Sequence, residues 1–101
     1  MNDPFADVGD NDFIAREKFK ARELRQSQWW KRKCSKGQCS YCDQKVSPKK
    51  LTMDHIVPIS LGGRTTRNNV TPACKECNTK KKTLLPFEWQ KYVNKRLQDN
   101  T

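Results

Sequence analysis

Four of the five cysteines fall into two pairs, Cys39-Ser40-Tyr41-Cys42 and Cys74-Lys75-Glu76-Cys77, separated by 31 residues. Two residues between thiols let one tight turn aim both sulfurs at a single ion. Two such turns supply the tetrahedral four-sulfur set that Zn²⁺ accepts in structural sites. Two disulfides, or one redox Cys-x-x-Cys, are the competing readings. No βαβ pattern surrounds the pairs, and the chain reads as cytoplasmic, where thiols stay reduced. The expectation is a structural zinc on Cys39, Cys42, Cys74 and Cys77, with Cys34 left over as a spare thiol. Zinc binding can supply on the order of 10 kcal/mol of folding free energy.

A second set of reactive groups lies between the pairs and just past them. His55 is the only histidine in the chain. A neutral imidazole, with a reference pKa near about 6.5, suits a general base that takes a proton from water. A lone histidine is more often structural, but this one follows a carboxylate, Asp54, near a strand end in a strongly basic chain. Asp54 offers a hard oxygen ligand for Mg²⁺ or Mn²⁺. Asn78 offers a neutral amide oxygen and follows Cys77 directly, so a zinc knuckle would fix its place. Neighbours on a regular strand face opposite ways. Asp54 and His55 therefore serve one site only if the strand ends or bends there, which Pro58 and Gly62-Gly63 make feasible.

The string Asp54-His55-Ile56-Val57-Pro58, the Gly62-Gly63 loop, Asn68-Asn69-Val70 and Cys74-x-x-Cys77-Asn78 together resemble the HNH endonuclease family, the ββα-metal or His-Me finger nucleases, over residues 39–82. Asn78 stands where founding members carry histidine, so the chain looks like a His-Asn-Asn variant. The resemblance implies a metal-dependent DNA endonuclease that leaves 5′-phosphate and 3′-hydroxyl ends. It implies His55 as general base, a catalytic Mg²⁺ or Mn²⁺ on Asp54 and Asn78, and Asn69 as the residue that holds the histidine loop through its backbone.

These residues need elements to position them. Asp12 can cap a helix over about 13–33, built from good helix formers with the sparse apolar positions Phe13, Ile14, Phe19, Ala21, Leu24, Trp29 and Trp30. Residues 49–57 alternate as a strand, and Val70 to Ala73 can form a second, with Pro72 keeping it to an edge or a strand end. Cys74 to about Thr83 suits a helix. Pro86 opens a last one, with Phe87, Val93 and Leu97 near one side and Trp89 and Tyr92 on the flanks. The expected fold is α+β: a small ββα-metal finger pinned by the four-cysteine zinc site, with flanking N- and C-terminal helices. Its expected divisions are a disordered acidic tail at 1–11, a basic helix at 12–36 and a nuclease domain at 37–101 that includes the C-terminal helix.

Composition sets the outer limits. With 101 residues, 34% apolar content and 32% charged residues, the core must be small. The mean hydropathy is −1.04. No apolar run approaches the roughly 18 residues of a membrane span, and the first ten residues do not read as a signal peptide. The net charge is +10, and the first twelve residues hold four Asp and no Lys or Arg, so the rest is more basic still. That favours a polyanionic partner, DNA by default, with no membrane. Lys80, Lys81, Lys82, Arg64, Arg67, Arg22 and Arg25 are the candidate phosphate contacts, which position without specifying sequence. Specificity should be weak, with either nicking or double-strand cutting, and the origin bacterial or phage. Two rival readings stay open: a structure-specific junction resolvase and a non-catalytic zinc-finger module for nucleic acid. Residues 13–36 carry nine Lys or Arg and two Glu. They read either as a duplex-gripping arm or as a structural helix docked by Trp29 and Trp30.

Overall fold

The computed structural model describes residues 11–99, so the expected acidic tail lies outside the described residues except for Asn11. The order is α1 (Asn11–Arg25), α2 (Gln28–Ser35), a 3₁₀ turn (Pro48–Lys50), β1 (Thr52–His55), a second 3₁₀ turn (Ile59–Leu61), β2 (Val70–Ala73), α3 (Lys75–Thr83) and α4 (Pro86–Asp99). β1 and β2 make a two-stranded antiparallel sheet, and α3 follows β2 directly. This is the expected α+β order of two strands and a helix, flanked by further helices. Among the described residues no helix is long and apolar enough to cross a membrane.

The single helix expected over 13–33 is two helices. Ser27 makes the break: its hydroxyl donates to the Leu24 carbonyl at 2.7 Å and accepts from the Trp30 amide at 3.2 Å. One side chain thus closes the last turn of α1 and caps the first turn of α2, the local competition with helix bonding that serine favours. β1 is also shorter than expected, because residues 48–50 turn as 3₁₀ under Pro48 before the strand begins. β2, α3 and α4 stand where the sequence puts them.

The chain divides into two compact units. Among the described residues, one comprises residues 11–31 together with Met53–Thr71; the other comprises Arg32–Thr52 and residues 72–99. In the first, α1 buries Phe13, Glu17 and Ala21, one stripe at four-residue spacing, and lies against the Ile59–Leu61 turn. Trp30 and Val70 are buried as well, whereas Phe19 is exposed. In the second, the core is Cys39, Cys42, Ala73, Cys74 and Cys77, with Tyr41, Val46, Trp89 and Tyr92 packed on it. Tyr41 meets Trp89 edge-on at 5.0 Å between ring centroids, and Trp89 stacks with Tyr92 at 5.6 Å. The inner stripe of α4 is therefore Trp89, Tyr92, Val93 and Arg96, and Phe87, expected on the inner side, is 62% exposed.

Candidate active site

In the first unit the regular sheet ends at His55. The Ile56 amide still donates to the Asn69 carbonyl at 2.8 Å, and beyond it the side chain of Asn69 takes over from the backbone. Its Oδ1 accepts from the Val57 amide at 2.8 Å. Its Nδ2 donates to the Val57 carbonyl at 3.1 Å and the Arg64 carbonyl at 2.8 Å. Gly63 lets the loop close: a Cβ there would lie 1.7 Å from the Val57 carbonyl oxygen. Gly62, with φ of 89°, supplies the left-handed residue that turns the chain. Asp54 is buried at 7% exposure, and His55 beside it is half-buried at the last position of the strand.

The His55 ring is tied to α1. His55 Nε2 lies 2.9 Å from Thr65 Oγ1. Thr65 Oγ1 donates to the backbone carbonyl of Glu17 at 2.9 Å, and the Thr65 amide donates to Glu17 Oε1 at 2.6 Å. The other Glu17 oxygen accepts from Lys20 Nζ at 3.1 Å. Glu17 is 1% exposed. Burial alone would raise its carboxyl pKa, but the Thr65 amide, Lys20 and Arg64 together outweigh burial and hold it below the ordinary value. Arg64 lies over the Phe13 ring at 5.4 Å and Arg67 over the Trp29 ring at 5.1 Å. Arg22 and Arg25 are exposed on α1.

In the second unit the four cysteines converge. Their Sγ atoms all lie within 4.8 Å of one another and all four residues are buried. Cys42 and Cys74 sulfurs stand 3.9 Å apart. A tetrahedral zinc with bonds of about 2.3 Å separates its sulfurs by roughly 3.8 Å, so the donor set fits such an ion in type, number and spacing. The first pair sits on a turn in which Cys39 N donates to Gln44 O and Asp43 N donates to Cys39 O, with Asp43 at φ of 61°. In the second, Cys74 caps α3 and its sulfur accepts from the Cys77 amide at 3.4 Å.

Arg96 closes the cluster on one side. Its guanidinium donates to Cys42 Sγ at 3.5 Å, to Gln44 Oε1 and to the Tyr92 hydroxyl, and pairs with Glu76 at 2.7 Å. Burial pushes Cys42 up, but the Gln44 amide and Arg96 outweigh it and lower the thiol. Burial, with the neighbouring sulfurs, raises Cys74 and Cys77. Cys34 is buried and its thiol is raised by that burial.

Asn78 lies in the first turn of α3, half-buried, with its amide on the Cys74 carbonyl at 3.0 Å. Lys80 and Lys82 are exposed further along α3, and Lys81 lies 6.0 Å over the Tyr41 ring. The structure thus brings Asp54, His55 and Asn69 together in one unit, and Asn78 with the four cysteines in the other.

Comparison with protein-family models matches residues 39–93, more than half of the sequence, to HNH endonuclease. The chain belongs to the HNH endonuclease family. Comparison with curated proteins gave no match. Membership makes this protein a nuclease and nucleic acid its substrate. Three residues that hold these two clusters are not marked by the sequence reading: Glu17, Thr65 and Arg96. Glu17 and Arg96 each carried one signal, a charged residue in phase with apolar ones at helical spacing. Thr65 carried none.

Proposed function

We propose that this HNH endonuclease hydrolyses DNA phosphodiesters in a metal-dependent reaction, with weak sequence preference. The observation that carries the reading is the placement of the only histidine at the end of β1, directly after a buried carboxylate. His55 takes a proton from water as the water oxygen bonds to phosphorus and the P–O3′ bond breaks; the departing O3′ takes a proton from solvent, leaving 5′-phosphate and 3′-hydroxyl ends. Asp54 supplies a hard oxygen ligand for Mg²⁺ or Mn²⁺, and the Asn78 amide oxygen is the second ligand that the family pattern implies. Such an ion, when bound, would supply electrostatic stabilisation of the charge that develops in the reaction. Asn69 positions the loop after His55.

Cys39, Cys42, Cys74 and Cys77 hold a structural zinc, since four thiolates leave no open position for substrate. Lys80, Lys81, Lys82, Arg64, Arg67, Arg22 and Arg25 contact backbone phosphates. The burial of Phe13, Glu17, Ala21 and Trp30 favours a structural role for residues 12–36 in addition to a duplex-gripping one.

Plasmid cleavage with Mg²⁺, Mn²⁺ or EDTA tests the reading. His55→Ala is expected to lower the rate by about 10²–10⁴, the usual cost of losing a general base. DNA binding, measured in parallel, is expected to persist and to weaken steeply with salt. Cleavage by His55→Ala near the wild-type rate, or undiminished cleavage in EDTA, refutes the assignment.

A further inference from the structure

We propose that Thr65, anchored by Glu17, is a positioning residue that fixes the tautomer and the orientation of His55. Glu17 lies outside the segment that matches the family, and Thr65 is 48 residues away from it along the chain. The inference rests on His55 acting as the base.

Hydrogen counting carries it. Thr65 has one hydroxyl hydrogen, and a carbonyl oxygen can only accept. The 2.9 Å bond from Thr65 Oγ1 to the Glu17 carbonyl therefore uses that hydrogen. In the 2.9 Å contact with His55 Nε2 the hydroxyl oxygen must accept, so Nε2 carries a hydrogen. A neutral ring with its hydrogen on Nε2 keeps its basic lone pair on Nδ1. The proton removed from water then goes to Nδ1 as the O–H bond breaks. The resulting imidazolium retains its Nε2–H bond to Thr65, so the same contact holds the ring before and after proton transfer.

The anchor is built to keep Thr65 still. The Thr65 amide and hydroxyl both bond to Glu17, one to the side chain and one to the backbone, so the threonine is gripped at two points. Glu17 is itself sealed at 1% exposure on the inner face of α1, with Lys20 on its second oxygen. A group held at that many points loses little entropy when the ring must be aligned with an attacking water.

The test uses the full chain, zinc-loaded, with labelled histidine; a single histidine gives a single set of ring signals. Long-range ¹H–¹⁵N correlations, recorded where the ring is neutral, are expected to show the hydrogen on Nε2 in the wild type. Thr65→Val keeps the side-chain shape and removes the hydroxyl. It is expected to lose the protected Nε2 hydrogen and to lower kcat by about ten- to a hundredfold, the scale of a misplaced catalytic group, with KM for DNA unchanged. Thr65→Ser restores the hydroxyl and is expected to recover both readouts. A wild-type ring with its hydrogen on Nδ1 overturns the proposal. So does a Thr65→Val protein that cuts with wild-type kcat, or a folded Thr65→Ser protein that fails to recover. The ring signals are read without turnover, so they stand or fall apart from the His55→Ala cleavage result.

Discussion

The cysteine unit and the histidine unit organise their residues with different bonds. In the first, four buried sulfurs within 4.8 Å of one another converge on one point, and the surrounding aromatic side chains pack onto them. In the second, a relay of amide, hydroxyl, carboxylate and carbonyl groups does the holding: Asn69 on Val57 and Arg64, and Thr65 on Glu17. Metal coordination is close to all-or-none, because an ion that loses a ligand loses its geometry. A hydrogen-bond relay degrades in steps of about 1 kcal/mol per neutral bond. A four-thiolate metal site would thus fail as a whole, whereas the relay can be tuned residue by residue.

Breaking the cysteine unit should have the largest effect. Cys77→Ser, or a strong chelator, is expected to abolish cooperative unfolding of the protein. Structural zinc contributes on the order of 10 kcal/mol, comparable to the whole stability of a small domain. Metal analysis should find one zinc per chain in the wild type and none in the variant. A protein that melts normally without zinc would remove the contrast between the units.

A smaller effect is expected from the histidine unit. Asn69→Ala deletes three hydrogen bonds and leaves one backbone amide and two carbonyls to find other partners. Thermal unfolding should show a loss of about 1–3 kcal/mol, with zinc content unchanged. Asn69→Asp sharpens this. It keeps the acceptor for Val57 but turns the amide donor into an anion facing two carbonyls, so it should be no better than alanine.

The smallest effect is the pH dependence of Glu17. Its carboxyl pKa is lower in the folded protein than its ordinary value of 4.5, so the charged form contributes stability at neutral pH. That contribution is lost as pH falls from the unfolded value through the lower folded one. The melting-temperature difference between wild type and Glu17→Gln should therefore be largest above pH 4.5 and vanish below the folded value. Protonation of the cysteines acts on both proteins alike and cancels in the difference. A gap that stays constant across the range would mean that the carboxylate charge is not part of the relay.

What the sequence makes legible follows the same division. The cysteine pairs and the Pro86 start of α4 are local patterns, so spacing alone places them, whereas Cys74, read as the first residue of α3, is its cap. Asp54, His55, Asn69 and Asn78 stand out by residue type within a recognisable motif. The relay is illegible because its bonds run between distant positions and through a residue of ordinary type. Glu17 occupies a slot between Phe13 and Ala21 that apolar periodicity would give to a hydrophobe, and only Thr65 and Lys20 explain why a carboxylate sits there. The split between α1 and α2 is not legible because the stretch consists of good helix formers, and one serine with two bonds overrides them. On α4 the same apolar residues allow two stripes, and packing on the cysteine core selects Trp89 and Tyr92, with Val93 buried beside them, over Phe87.

The chain leaves the cysteine core after Cys42 and returns to it at Cys74, and the excursion between them carries Asp54, His55, Thr65 and Asn69. A metal that bridges these two sulfurs is a crosslink on a polymer ring of roughly thirty residues. By the chain-entropy expression for such rings it removes about 4 kcal/mol of conformational freedom from the unfolded chain, separately from any bond it makes in the folded one. Such an ion would therefore act on residues 54–69 without touching them. It would shorten the distances the loose segment can explore before folding, and the pairing of Ile56 with Asn69 would begin from ends that are already close.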